Sequence, residues 1–190
     1  MNKKLKIVVN YLKGGGIGVL PTDTIYGLVT SALDKKAVER VYKIRKRNSK
    51  KPLIILISSL KDLSLFGVKL TDKEKEILEN IWPGKVSVIL HCNKNKFSYL
   101  HRGTRSLAFR LPKKKLLIDL IKKAGPLVAP SANPEGSVSA KNIKEAKKYF
   151  SDEVDFYFGV GALKSKPSTL IKLKNNEIDI LRRGAVKINL

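Results

Sequence analysis

Residues 20–28 have the sequence LPTDTIYGL, in which an apolar run ends at Pro21 and three small polar residues follow. The run itself, residues 17–20, is short and continuously apolar, which predicts a buried strand. Open α/β sheets bind their ligands where strands end, so the hydroxyls of this turn are candidate ligand-binding groups. An ordinary turn, in which Asp23 and Thr24 only satisfy backbone groups, is the alternative interpretation.

Outward from this turn, helical and strand-like periods alternate along the chain, which predicts an α/β fold with a mixed sheet. Glycines 14–16 are predicted to end the first helix, and Asn175-Asn176 is predicted to form a hairpin turn. Asp34 is a predicted N-cap, and Thr71 with Glu74 has the capping-box pattern. Helices are predicted at 5–12, 34–42, 71–81, 116–121 and 142–150. Strands are predicted at 17–20, 53–57, 86–90, 107–111, 127–129, 154–158, 168–173 and 178–181.

The length and composition predict one domain over residues 1–190 with a real core. No apolar stretch approaches the ~18–20 residues that a membrane-spanning helix needs. The basic N-terminus is interrupted by polar residues and lacks a cleavage pattern, so we expect it to be part of the fold. Cys92 is the only cysteine, which excludes an internal disulfide and fits a cytoplasmic protein.

The charge balance is strongly basic, with 39 Lys and Arg against 16 Asp and Glu and a net charge of +23. Such a protein attracts phosphates, either those of nucleotides or those of RNA. A solvated, lysine-rich surface without any specific partner is the alternative for most of these lysines.

Several familiar motifs are absent from the sequence. It contains no P-loop, no serine nucleophile elbow and no dinucleotide-binding glycine fingerprint. His91 and His101 are ten residues apart, with Cys92 beside the first, which is not a zinc spacing. The sequence therefore predicts no metal site built by the protein.

Three further polar segments lie beside predicted strands. Residues 45–52, RKRNSKKP, precede a strand and can bind phosphate or carboxylate through arginine forks. Residues 129–137, APSANPEGS, combine small residues with oriented hydrogen-bonding groups. Residues 166–170, KPSTL, are followed one hairpin later by LRRG at 181–184. Taken singly, each is also explained as a solvated loop or a turn.

In this order, the segments resemble the YrdC-like family of threonylcarbamoyl-AMP synthases in its short, single-domain form. The family blocks and their positions here are P-T-[DE]-[TA]-x-[YF]-G at 21–27, K-x-R at 45–47, W-P-G at 82–84, A-[VF]-R at 108–110, S-A-N at 131–133, S-T at 168–169 and L-R-x-G at 181–184. The resemblance implies a single α/β domain with a twisted, mixed sheet, helices on both faces and a deep basic cavity. It also implies synthesis of threonylcarbamoyl-AMP and pyrophosphate from L-threonine, bicarbonate and ATP. Mg²⁺ is expected with ATP, and the product is expected to pass to a separate transferase complex that modifies tRNA beside the anticodon.

The resemblance assigns roles to individual residues. Those implied for threonine binding are Thr22, Tyr26, Arg110 and Ser168. Those implied for the nucleotide are Arg45, Ser131, Asn133, Ser139 and Arg182. Arg45 and Arg47 are the implied catalytic residues, facing bicarbonate and the ATP phosphates. Asp23 is a candidate magnesium ligand without a carboxylate cluster around it.

Two positions depart from the family pattern, because Arg45 stands where lysine is usual and Asn48 where proline is frequent. Arginine keeps the charge but not the compact ammonium group. Two other functions stay open at this point. One is a non-catalytic, basic RNA-binding or ribosome-associated protein. The other is a carbamoyl-transferring module like that of hydrogenase-maturation proteins, which are much longer and carry zinc-finger motifs absent here.

Overall fold

A computed structural model describes residues 3–48, 51–174 and 177–188. The predicted α/β architecture is confirmed. The α-helices are α1 Lys3–Lys13, α2 Lys35–Ile44, α3 Asp72–Ile81, α4 Ser98–His101, α5 Lys115–Ala124 and α6 Ile143–Phe150. The strands are β1 Gly18–Pro21, β2 Tyr26–Ser31, β3 Ile54–Leu56, β4 Val86–His91, β5 Ser106–Arg110, β6 Leu127–Val128, β7 Phe156–Tyr157, β8 Thr169–Lys174 and β9 Glu177–Arg182. Short 3-10 helices lie at Leu60–Phe66 and Asn95–Phe97.

The helix boundaries follow from local sequence. The Asp34 carboxylate accepts a hydrogen bond from the Ala37 amide at 3.0 Å and caps α2, as predicted. Thr71 and Glu74 form the predicted capping box at the start of α3. The four apolar residues that set the period of α1 are its buried ones: Leu5, Val8, Val9 and Leu12.

The strands form one mixed sheet in the order β7-β1-β2-β6-β3-β5-β4-β8-β9. β1 and β2 are an antiparallel pair, whereas β3 with β5 and β4 with β8 are parallel pairs. This order brings the C-terminal end of β5 near the β1–β2 turn and the residue before β8. The predicted ligand-binding segments, scattered along the sequence, therefore meet at one end of the sheet.

Helices cover both faces of the sheet. Successive residues of β3 belong to different hydrophobic clusters, Ile55 to one and Leu56 to the other. The cluster around Ile55 includes residues of α2, α3 and α6, and the cluster around Leu56 consists largely of α1 and α5 residues. No helix among the described residues is long and apolar enough to span a membrane.

The structure adds to the predicted elements. Residues 26–31 form β2, a strand that was not predicted. Gly27 interrupts the apolar pattern, yet it pairs with Leu20 and forms a bridge to Ser131. The two 3-10 helices and α4 were not predicted, and only residues 156–157 of the predicted strand at 154–158 pair in the sheet. The predicted hairpin turn at Asn175-Asn176 lies outside the described residues.

Candidate active site

A cavity of about 70 Å³ lies where the polar segments meet. Its wall comes from the β1–β2 turn, from the ends of β5 and β9, and from the segments that follow β6 and precede β8. The lining residues are Thr22, Thr24, Ile25, Tyr26, Gly27, Ile54, Arg110, Ala129, Ser131, Pro167, Ser168 and Arg182. Six of the residues predicted from the sequence are among them: Thr22, Tyr26, Arg110, Ser131, Ser168 and Arg182.

The β1–β2 turn is held by its own hydroxyls. Thr22 Oγ1 donates to the Ile25 carbonyl at 2.7 Å and accepts from the Thr24 amide at 3.1 Å. The hydroxyls of Thr22 and Thr24 are 3.0 Å apart. Tyr26 is fully buried, and its hydroxyl donates to the Gly161 carbonyl at 2.6 Å. The turn is thus both self-satisfied and part of a cavity wall, so the two interpretations of this segment do not exclude each other.

Arg110 is a buried cation that lines the cavity, with a side chain that is 5% exposed. Its Nη1 donates to Thr24 Oγ1 at 3.2 Å, and its Nη2 lies 3.1 Å from Asp23 Oδ1 in an ion pair. Neither Asp23 carboxylate oxygen meets hydrogen-bond geometry with a donor among the described residues, and Arg110 Nε has no acceptor there. Burial lowers the pKa of Arg110, and the Asp23 carboxylate partly opposes that shift.

Arg182 forms the opposite side of the cavity mouth. The residue as a whole is exposed, but its Nη2 and Nε donate to the Ser168 carbonyl at 2.9 and 3.2 Å. Partial burial of the guanidinium lowers its pKa. The Ser168 hydroxyl is 2.8 Å from that of Ser87, a fully buried residue of β4. Arg182 and Ser87 together fix the position of Ser168.

Arg45 reaches the cavity wall from the C-terminal end of α2. Its Nε donates to the Asn133 carbonyl at 2.9 Å, and its Nη2 donates to Ser131 Oγ at 3.2 Å. Its Nη1 is buried without a hydrogen-bond partner in the described parts of the chain. Burial, and secondly the charge of Arg47, lowers the pKa of Arg45 to about 10, so the guanidinium stays charged at neutral pH.

Arg47 does not line the cavity. Its Nε and Nη2 donate to the carbonyls of Lys51 and Pro52 at 3.3 and 3.2 Å, and its Nη1 lies 3.9 Å from Glu135. Glu135 also accepts from the Asn48 amide and from Lys51 Nζ, each at 2.7 Å. Arg47 therefore shapes the basic loop in this structure, and its implied contact with bicarbonate and phosphate stays a prediction.

A second, larger cavity of about 630 Å³ adjoins the first, sharing Ile25 and Pro167 with it. Ser139 lies on its wall and donates to Asn133 Oδ1 at 3.2 Å. The Asn133 amide nitrogen donates to the carbonyls of Pro134 and Ser137 at 2.7 and 2.9 Å. Three lysines border the same cavity: Lys141, Lys164 and Lys166.

Ser87 was missed by sequence reasoning, whereas Thr24 was included only among the hydroxyls of the quoted turn and was given no role of its own. Ser87 is the polar member of an otherwise apolar strand, and a hydroxyl in such a position needs a buried partner. That requirement was the available signal, but the partner, Ser168, is 81 residues away.

Comparisons with known proteins agree with this geometry. The Sua5/YciO/YrdC family model, which carries the description "Telomere recombination", matches residues 10–184. A protein of Methanocaldococcus jannaschii is 30% identical over 98% of this chain and 88% of its own length. A Cellvibrio japonicus protein named threonylcarbamoyl-AMP synthase is 26% identical, over 94% of this chain and 95% of its own.

A solved structure, that of Pyrococcus abyssi Sua5 complexed with L-threonine, superposes with a TM-score of 0.88 at 27% identity. It covers 95% of this chain, whereas this chain spans only 54% of the Pyrococcus protein. The family model, over residues 10–184, includes every residue that lines the cavity. The chain therefore belongs to the Sua5/YciO/YrdC family.

Proposed function

We propose that the protein is a threonylcarbamoyl-AMP synthase, a nucleotidyltransferase that joins L-threonine, bicarbonate and ATP. The observation that carries the proposal concerns two arginines at or beside the cavity, Arg110 and Arg45. Each has a buried guanidinium nitrogen, Nε in Arg110 and Nη1 in Arg45, that lacks a hydrogen-bond partner among the described residues. An unsatisfied buried donor costs about 1–3 kcal/mol, and more when it is charged. An anionic ligand removes that cost. The names of the relatives supply the identity of the anions.

The two cavities offer different groups to the two substrates. In the smaller cavity, Arg110 can pair with the carboxylate of an amino acid, while Thr22 and Ser168 offer hydroxyls. The larger cavity, about 630 Å³, suits a nucleotide, with Ser139 and three lysines on its wall. Ser131, held by Arg45, lines the smaller cavity.

The proposed chemistry needs no protein nucleophile. The threonine amine attacks the bicarbonate carbon, and loss of water leaves a carbamate. A carbamate oxygen then forms a bond to the α-phosphorus of ATP, the bond to the β-phosphate oxygen breaks, and pyrophosphate leaves. Positioning of the three reactants and stabilisation of negative charge are the tasks left to the protein. Arg45, Arg110 and Arg182 are charged groups suited to both.

Magnesium does not fit a site built by the protein alone. The described residues contain no group of three His, Cys, Asp or Glu that could hold a metal ion, and Asp23 is already paired with Arg110. Mg²⁺ commonly binds through substrate phosphates and water. In the proposal it arrives on the ATP phosphates, and no step is assigned to a protein-held ion.

The product defines the proposed partners. Threonylcarbamoyl-AMP is an activated acyl donor, so a separate transferase complex must consume it. In the proposal, that complex modifies the tRNA adenosine next to the anticodon, and the protein acts in the cytoplasm.

The test is pyrophosphate release from ATP by the purified protein, with L-threonine and bicarbonate omitted in turn. We expect release that needs both compounds, and the acyl-adenylate should be detected by mass spectrometry. Release that is independent of threonine would contradict the proposal. No release, together with salt-sensitive RNA binding, would favour the non-catalytic alternative.

A further inference from the structure

One hydroxyl behind the cavity belongs to a residue that does not line it, Ser87 of β4. Ser87 is fully buried and stands between Val86 and Val88, two buried apolar residues of the same strand. Its Oγ lies 2.8 Å from the Oγ of Ser168, which does line the cavity. Any part that Ser87 plays in ligand binding must therefore act through Ser168.

The direction of the hydrogen bond between the two serines follows from the burial of Ser87. A serine hydroxyl has one hydrogen to donate and two lone pairs with which to accept. In the described parts of the chain, the Ser87 hydroxyl makes no hydrogen bond besides the one to Ser168 Oγ. If Ser168 were the donor, the Ser87 hydrogen would be buried without an acceptor, and buried hydroxyls are almost always hydrogen-bonded. Ser87 is therefore the donor.

The Ser168 hydroxyl has a second donor in Arg182. Arg182 Nη2 lies 3.3 Å from Ser168 Oγ, and the same guanidinium donates to the Ser168 carbonyl at 2.9 and 3.2 Å. Both lone pairs of Ser168 Oγ are then engaged, one by Ser87 and one by Arg182. The Ser168 hydrogen has no acceptor among the described residues, so it is left for an acceptor inside the cavity.

The charges around Ser168 favour an anionic oxygen as that acceptor. Two guanidinium groups, those of Arg110 and Arg182, line this cavity, and the one carboxylate paired with them is that of Asp23. Burial is the largest cause that lowers the pKa of Arg110, and the charge of Arg182 lowers it further, so the two cations act on one region. Hydrogen bonds to an ionised acceptor are also shorter and stronger than those to a neutral one.

We propose that Ser87 is a positioning residue, which fixes the Ser168 hydroxyl as a hydrogen-bond donor to a carboxylate oxygen of the amino-acid substrate. The inference rests on the proposed function, in which that amino acid is L-threonine. Without the Ser87 hydroxyl, the Ser168 hydroxyl can rotate and present either its hydrogen or a lone pair to the cavity. Part of the affinity is then lost in ordering it when the ligand binds.

The experiment is a double-mutant cycle on threonine affinity, with Ser87→Ala, Ser168→Ala and the variant that carries both changes. Isothermal titration with L-threonine is carried out without ATP, after circular dichroism has shown that each variant is folded. We expect Ser87→Ala to lose about threefold to tenfold in affinity, the range of one neutral hydrogen bond. Because Ser87 acts through Ser168, the double variant should bind no more weakly than Ser168→Ala alone.

Two further comparisons separate positioning from packing. Ser87→Thr keeps the hydroxyl and Ser87→Val has nearly the same shape without it, so Ser87→Thr should bind L-threonine the more tightly of the two. Thr30→Val removes another fully buried hydroxyl, which donates to the Gly16 carbonyl at 2.8 Å. Thr30 does not line the cavity, so this variant should keep the wild-type affinity for threonine.

The synthase assay gives a readout that a loss of stability alone would not produce. Ser87→Ala should raise the KM for L-threonine and leave the KM for ATP unchanged. Additive losses in the cycle, or equal affinities of Ser87→Thr and Ser87→Val, would overturn the inference while wild-type pyrophosphate release stays intact. A wild-type protein that binds no L-threonine would instead overturn the proposed function together with this inference.

Discussion

Replacement of Arg110 by alanine should weaken threonine binding more than any other single change in the cavity. Truncation of one partner in a buried, hydrogen-bonded charge pair costs about 2–5 kcal/mol. Because a tenfold change in affinity corresponds to about 1.4 kcal/mol, the loss lies between roughly 30-fold and several thousand-fold. The Arg110 side chain is only 5% exposed, so solvent screens the pair little, which favours the upper part of that range.

The same change leaves Asp23 without its ion pair, and the destabilisation that follows must be separated from the loss of binding. We therefore pair Arg110→Ala with the double variant Arg110→Ala, Asp23→Asn, in which no buried carboxylate is left uncompensated. Arg183→Ala is the matched control, since Arg183 is an exposed arginine beside Arg182 that does not line the cavity.

Isothermal titration with L-threonine is the assay, after circular dichroism has shown that each variant is folded. Both Arg110 variants should lose affinity, and the control should not. A folded Arg110→Ala protein with wild-type threonine affinity would refute the assignment of the smaller cavity to threonine.

Three other predictions follow from the structure. Glu135→Gln should loosen the basic loop and raise the KM for ATP, because the Glu135 carboxylate accepts hydrogen bonds from the Asn48 amide and from Lys51 Nζ. The hydrogen bond from Lys51 is the largest cause that lowers the pKa of Glu135, which falls to about 2. Because its pKa is lowered in the folded protein, ionised Glu135 stabilises the fold at a pH above about 4.5, the pKa of the unfolded chain, and this stabilisation is lost as the pH falls towards 2. The stability of the Glu135→Gln variant should therefore fall less than that of the wild type over this pH range. Gly184→Ala should weaken threonine binding, because a Cβ at this position would lie 2.4–2.5 Å from backbone atoms of residues 167–169 and would displace Ser168. Unchanged threonine affinity would contradict this prediction. Asp34→Ala should lower the free energy of unfolding by about 1 kcal/mol through loss of the α2 cap, with threonine affinity unaltered, as chemical denaturation and calorimetry can show.

Much of the fold is determined locally and was accessible from the sequence. The period of Leu5, Val8, Val9 and Leu12 places α1, and the Asp34 and Thr71 caps place the starts of α2 and α3, because each depends on residues at most a few positions apart. The polar motifs also indicated which segments could bind ligands, and their order along the chain resembled that of the family to which the chain belongs. Strand β2 was missed although Tyr26, Val29 and Thr30 favour a strand, because Gly27 interrupts the pattern. In the structure Gly27 is held by Leu20 on one side and Ser131 on the other.

The sequence by itself determined the α/β class, the helix caps, the polar segments and the net positive charge that attracts anions. Only the tertiary structure decided which of those groups share a site. Arg110 meets Thr24 across 86 residues and Arg45 meets Asn133 across 88, whereas Arg47, two residues from Arg45, is directed at its own loop. Such partnerships depend on strand order and on the burial of each guanidinium, and neither is encoded in the spacing of residues along the chain.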